Sequence, residues 1–345
     1  MLLQDLATEL VVHVLRSCTS VSDVLNLAAT CRRFHQVFAT SPKLPILFEA
    51  AEAHYGPLQD AIQLVTHNAS QPAHLLRNVP SSLALLKQII EVGRVAKKWE
   101  DVYPAKKWKH DFQDRRLLSQ SERYRLRRAI YRLWLYSSAF HNRAYPRNSR
   151  MHRYVIQERA ELLHNWNTVE LAEIEDVREV LREVLQTHIC PSNGTIQRKF
   201  RKRFPDTDHQ LLFNIHLNYP PPPSAFETHF HTTHQVTAAN KFFTKYQSTA
   251  YHEPGAEGWG DEIPHYYVVE DMLKLDPGQI VWLKENAPFK GMIETFVKGL
   301  GEWFENNGET FGQTFDWVVA ERGGNVEELR DSIRERSVGV AVDDD

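Results

Sequence analysis

The stretch DLATELVVHVLRSC, residues 5 to 18, places apolar side chains on nearly every side of one short helix. Leu10 and Val14 form one stripe at i, i+4; Val11, Leu15 and Cys18 form a second, with Val12 between them. A second helix over about 22 to 31 sets Val24, Leu27, Ala28 and Cys31 on one side and Leu25 and Ala29 on the other. A third, from Arg32, adds Phe34, Val37 and Phe38. Three short helices spanning about forty residues rarely fold alone. Leaving half a dozen of these side chains wet costs on the order of ten kcal/mol. Something must cover them, either a later part of the chain or a second protein.

These residues resemble an F-box. The run LQDLATELVVHVLRSCTSVSDVLNLAATCRRFHQVF follows its entry pattern, its paired apolar residues, its D-hydrophobic-L-x-L step and its closing C-R-x-F. Leu3, Leu6, Glu9, Leu10, Val14, Leu15, Asp23, Val24, Leu25, Leu27, Cys31, Arg32 and Phe34 fall on the pattern over residues 2 to 38. Ala7 departs from it, standing where the family has proline, and so loosens the turn before the first helix. The resemblance implies a three-helix F-box docked on the Skp-family linker of an SCF-type ubiquitin ligase, and through it on cullin and RING subunits. It further implies that Leu3, Leu6, Glu9, Leu10, Val14, Leu15, Val24, Leu25, Leu27, Ala28, Cys31, Arg32 and Phe34 form the linker-binding face. Later stretches (RRAIYRLWLYSSAF, LLHNWNTVELAEIEDV and GWGDEIPHYYVVEDMLKLDPGQ) resemble the helical carboxy-terminal region of F-box proteins from filamentous fungi. That likeness implies a protein target and leaves its identity open.

The remaining sequence reads as all-α. Ser119 with Glu122 and Asn167 with Glu170 are capping boxes ahead of amphipathic runs. Asp276-Pro277 opens another helix, and SSLALLKQIIEVGRVAKKW, residues 81 to 99, is a long one. Gly323-Gly324 stops a helix, after which Asn325 with Glu328 caps a last one to about Arg336. Five prolines between 40 and 80 predict short helices and turns. The expected organisation is an F-box over 1–40, a connecting region over 41–80, an irregular helical domain without repeats over 81–338, and an acidic, frayed tail over 339–345. Pro220 to Pro223 forms a rigid spacer within the large domain.

Charge is distributed unevenly. Residues 94 to 153 carry seventeen Lys/Arg against five acids, about +12, and residues 253 to 345 about −13. Two arrangements account for this: the regions neutralise each other or stand as solvated faces, or the basic one forms a groove for an acidic partner. Trp99, Trp108, Tyr124 and Trp134 interleave with the basic residues, but Leu126, Ile130, Leu133 and Trp134 make the apolar seam of a core helix. Nucleic acid is therefore not expected as a partner.

No apolar run reaches the roughly eighteen residues of a membrane span, and Asp5 and Glu9 spoil a secretory signal. Cys18, Cys31 and Cys190 are too few for a disulfide framework, which points to cytoplasm or nucleus. His229, His231 and His234 lie close in sequence, yet no single regular element presents all three, and neither a paired-cysteine nor an H-E-x-x-H motif accompanies them. No nucleophile–base arrangement is recognisable either. The chain reads as a non-catalytic adaptor without cofactor or metal.

Overall fold

The computed structural model describes residues 6–111, 113–146, 149, 152–191, 258–259, 263–288, 290–301, 303–304 and 308–342. Among them the chain is helical, apart from a two-residue antiparallel pairing of Gly258–Trp259 (β1) with Ile263–Pro264 (β2). The proline spacer at 220–223 and the histidines at 229, 231 and 234 lie outside the described residues. Contacts divide the chain into two compact units. The first comprises Met1–Leu135, Ala172–Val177 and Ser332–Asp345, and the second Tyr136–Leu171 and Arg178–Asp331.

The first unit opens with α1 (Thr8–Arg16), α2 (Val21–Thr30) and α3 (Arg32–Thr40). Ser20 caps α2 by accepting the Asp23 N–H, and extended backbone at Cys31 separates α2 from α3. Ala7 occupies the cap position of α1 and supplies no side-chain acceptor, as expected of a residue without a polar group. Next come α4 (Lys43–Tyr55), α5 (Leu58–Thr66) and α6 (Leu83–Lys107). Region 41–80 holds short helices as expected, and they pack: α4 and α5 on α6, and α4 also on α1 and α2. Three of its five prolines stand at helix starts. Pro42 and Pro57 are the caps of α4 and α5 and Pro45 sits in the first turn of α4, where a missing N–H costs nothing. Helix α6 runs eight residues past the expected Trp99, carrying Trp99 and Tyr103 into the core ahead of the equally buried Trp108.

Helix α7 (Gln120–Phe140) begins at the expected Ser119–Glu122 capping box. Three of its arginines are held in close internal pairs. Arg127 donates to the Gly56 carbonyl at 2.7 Å and to Glu100 at 2.6 Å, and Arg132 reaches Asp60 at 2.6 Å. Arg128 binds Glu173 with two nitrogens, at 2.9 and 2.6 Å, and Arg116 holds Glu122 in the same bidentate way at 2.6 and 2.7 Å. Arg116, Arg127, Arg128 and Arg132 of the basic stretch are therefore paired struts. These partners come from α5, α6, α7, the Gly56 carbonyl and residue 173.

The chain end completes this unit. Asp176, almost fully buried, accepts the Tyr103 hydroxyl at 2.6 Å, the Lys107 ammonium at 2.7 Å and the Val340 N–H at 3.0 Å. Lys107 also donates to the Ile333 carbonyl at 2.9 Å, and Arg336 pairs with Asp111 at 3.0 Å. Val340 and Ala341 are buried. The expected frayed tail is instead a docked strap through Val342, because its backbone satisfies a buried carboxylate and its apolar side chains find cover.

The second unit contains the end of α7, α8 (Arg153–His164), the ends of α9 (Thr168–Val184) with a π-turn at Leu185–Ile189, α10 (His265–Met272), α11 (Pro277–Asn286), α12 (Lys290–Leu300), α13 (Phe311–Glu321) and most of α14 (Val326–Arg334). The capping boxes at Asn167–Glu170 and Asp276–Gln279 are formed, Gly323 turns with φ +74° at the end of α13, and Asn325 caps α14. Helix α8 packs on α13. Buried Glu309 accepts the Phe311 N–H at 2.6 Å at the start of α13 and pairs with Arg178. The Tyr136 hydroxyl lies 3.0 Å from both Thr310 and Thr314. His141 Nε2 accepts the Thr310 N–H at 3.3 Å, and burial drops the imidazole pKa to about 3.

Two measurements check these anchors. Asp176→Ala strands the Tyr103 hydroxyl and Lys107 ammonium in the interior and releases the strap, with an expected loss of about 3–5 kcal/mol in urea unfolding. Gly339→Ala weakens the same latch without removing it: φ is +119° and an added Cβ would stand 2.7 Å from Asp176 Oδ2. His141 is held neutral in the fold but protonates near its ordinary pKa when unfolded, so its contribution is complete above about pH 6.5 and falls as the pH drops toward 3. Wild type should lose on the order of 2 kcal/mol more than His141→Gln between pH 6.5 and 5, read from urea midpoints.

Candidate functional site

The site begins with a one-residue difference on α1. Val11 and Leu15 point inward at 1% and 0% exposure, whereas Leu10, about 100° around the helix, stands 51% exposed. Leu6 and Val14, one turn to either side of Leu10, are half-buried. Helix α2 repeats the arrangement: Val24 and Ala28 are buried, Leu25 is 49% exposed, and Leu27 and Cys31 are half-buried. Glu9 and Arg32 are solvent-exposed.

The inner stripe is closed by the chain itself. Phe34, Val37 and Phe38 of α3 and Ile46, Leu47, Ala50 and Ala51 of α4 are buried, and both helices pack on α1 and α2. Arg16 ties α1 to Glu49 of α4 through two contacts, one of them 2.7 Å, and each charge shifts the other: Arg16 upward, Glu49 downward. Arg33 donates to the Leu6 carbonyl at 2.8 Å, holding the entry to α1 against α3.

This corrects part of the expected linker-binding face. Leu15, Val24, Ala28 and Phe34 are core residues of the amino-terminal module, with no surface to offer a partner. Their spacing had marked them as apolar, but only the packing of α4 decides which stripe it covers. Leu3 lies outside the described residues. Leu6, Glu9, Leu10, Val14, Leu25, Leu27, Cys31 and Arg32 keep some exposure and form the remaining candidate face. The residual burial drive shrinks accordingly. Half-exposed Leu10 and Leu25 leave roughly 2–3 kcal/mol unrealised together, far below the ten expected from an open core.

Cys18 is half-buried, with burial pushing its thiol up, and Cys190 is buried and shifted the same way more strongly. Both favour the inert thiol over the thiolate. Among the described residues no cluster of three His, Cys, Asp or Glu is arranged to hold a metal ion, and no helix is long and apolar enough to cross a membrane. The arginines between 115 and 132 that bind Glu100, Glu122, Glu173 and Asp60 are not a free groove for an acidic partner. No protein-family model, curated protein or solved structure matches the chain.

Charge insertion separates the two stripes. Leu15→Asp buries an unpaired carboxylate and should abolish the cooperative thermal transition of the first unit. Leu10→Asp, facing water, should leave that transition within a few degrees of wild type, as followed by circular dichroism.

Proposed function

We propose that this protein is the target-recognition adaptor of an SCF-type ubiquitin ligase, binding a Skp-family linker through α1 and α2 and a protein target through its later helices. The observation that supports the reading most directly is Leu10 and Leu25, two large apolar side chains left half exposed on neighbouring helices whose sequence resembles an F-box. Leu6, Val14, Leu27 and Cys31 extend the apolar face, with Glu9 and Arg32 as exposed polar residues. A partner covering such a face gains burial without having to open a core, since α3 and α4 already close the inner side.

The adaptor does no bond chemistry. It acts by proximity, holding a target near a charged conjugating enzyme so that transfer proceeds at a high effective concentration. Cytoplasm or nucleus is the compartment that suits this role. A second reading is favoured by the closure of the inner stripe: a module that needs no partner to fold suits a helical interaction protein outside any ligase, or one bound to the linker without cullin.

Affinity capture of the full chain distinguishes these. Recovery of linker and cullin supports the ligase adaptor, linker alone supports a non-ligase complex, and neither supports an unrelated interaction module. The double variant Leu10→Asp with Leu25→Asp should lose the linker while keeping its melting curve. Retention of the linker by that variant places the interface elsewhere.

A further inference from the structure

The strap that closes the first unit leaves α14 through a tight turn. Arg336 sits at φ +62°, in the left-handed region, and its N–H donates to the Ile333 carbonyl at 3.3 Å. The Ser337 N–H donates to the Ser332 carbonyl at 3.0 Å, so the last turn of α14 closes as a Schellman motif. The Ser337 hydroxyl donates to that same carbonyl, also at 3.0 Å. A residue with a Cβ keeps a left-handed backbone only while its surroundings enforce it. Beyond the turn the chain goes inside: Val338 is half-buried, and Gly339, Val340 and Ala341 are buried. Ser337 itself is exposed.

Three contacts hold this segment down. Lys107 donates to the Ile333 carbonyl at 2.9 Å, and Asp176 accepts the Val340 N–H at 3.0 Å. Between them, Arg336 pairs with Asp111 at 3.0 Å and with Asp114 at 3.4 Å. All three depend on a neutral group at 337. The last carbonyls of α14 are the negative end of its dipole, and two carboxylates already share the neighbouring guanidinium.

The sequence here reads Arg334-Glu335-Arg336-Ser337-Val338. One arginine stands three places before the serine, another immediately before it, and an apolar residue follows. Protein kinases with acidic clefts select serines on such charge patterns, because their carboxylates bind the guanidinium groups. Ser119 also follows an arginine by three places, but Arg116 is held by Glu122 through two nitrogens, and the serine oxygen caps α7. Arg334 is exposed, at the end of its helix.

We propose that Ser337 is a phosphorylation site for an arginine-directed protein kinase, and that the phosphate releases the strap from Asp176. In the transfer, Ser337 Oγ bonds to the γ-phosphorus of the kinase's Mg-ATP and the bond from that phosphorus to the β,γ-bridging oxygen breaks. ADP leaves, and the hydroxyl proton passes to the kinase's catalytic carboxylate. A kinase cleft takes its substrate extended, so the strap is modified while transiently open, as chain ends often are. Modification then traps the opening.

The phosphorylated turn does not close again. Oγ has no proton left for the Ser332 carbonyl, and a dianion stands at the negative end of α14. If Arg336 stays on Asp111 and Asp114, the phosphate is left without its nearest cation in sequence. If Arg336 turns to the phosphate, Asp111 loses it and the strap loses a tie. Either way, release uncovers Asp176, Tyr103 and Lys107 together with the seats of Val340 and Ala341. The proposal involves neither α1 nor α2 and is independent of linker binding.

The test incubates the full chain with Mg-ATP and the catalytic subunit of cyclic-AMP-dependent protein kinase, an arginine-directed enzyme, and maps phosphate by mass spectrometry. Ser337 should be modified and Ser119 should not. Gly339→Ala, which weakens the latch, should speed modification of the chain several-fold, while a peptide spanning residues 330–342 with the same change reacts at its wild-type rate. Hydrogen exchange reads the strap itself. Amides of residues 338–342 should exchange about tenfold faster after phosphorylation, with those of α6 unchanged. Ser337→Ala taken through the same incubation should keep wild-type protection. No modification of Ser337 in the folded chain, preference for Ser119, or a Gly339→Ala rate equal to wild type would overturn the proposal. So would unchanged or slower exchange after modification, or equal opening in Ser337→Ala.

Discussion

A helix carrying Arg127, Arg128 and Arg132 can enter a protein interior only if its guanidinium groups meet acceptors there, because a buried unpaired charge costs several kcal/mol. That requirement organises the first unit. The acceptors are the Gly56 carbonyl at the α4–α5 corner, Glu100 on α6, Glu173 on α9 and Asp60 on α5. Glu100, Glu173 and Asp60 are each carried by a helix, so neutralising α7 also sets where those helices lie. Tyr131, donating to the Tyr55 carbonyl at 2.8 Å from the same helix, adds a neutral tie at the same corner. Asp176 applies the same logic with the sign reversed: one carboxylate gathers Tyr103, Lys107 and the returning chain end.

This pairing also decides what the molecule presents to partners. Four arginines that looked like part of a docking groove, Arg116, Arg127, Arg128 and Arg132, are internal ties. The first unit presents the outer stripe of α1 and α2, where Leu10 and Leu25 stand about half exposed. The outer stripe is small enough for the module to stand by itself, yet apolar enough to reward a partner that covers it. Both properties would suit the proposed adaptor role, which requires the chain to stay folded between assemblies.

Much of the local structure was legible from the sequence. The boxes at Ser119–Glu122 and Asn167–Glu170 form as their spacing requires, because a cap depends on residues three apart and little else, and Asp276-Pro277 opens α11 as read. The three short amino-terminal helices likewise appear where the apolar periodicity puts them. Over 41 to 80 the prolines marked short helices and turns, and α4 and α5 stand there, with proline in the first turn of α4 and at the cap of α5. The strap was missed, since Val340 and Ala341 carry no signal until Asp176, distant in sequence, offers an acceptor.

The sequence by itself determined that the chain is helical, where most helices begin, and that α1 and α2 carry apolar residues on more than one side. Those are properties of residues a few positions apart. Only the tertiary structure decided that Val11 and Leu15 go inside while Leu10 stays out, and that the arginines of α7 answer to Glu100, Glu173 and Asp60. The physical reason is that burial and charge pairing are settled between elements far apart in the chain. A helix with two apolar stripes is indifferent to which one is covered until a neighbour such as α4 arrives on one side.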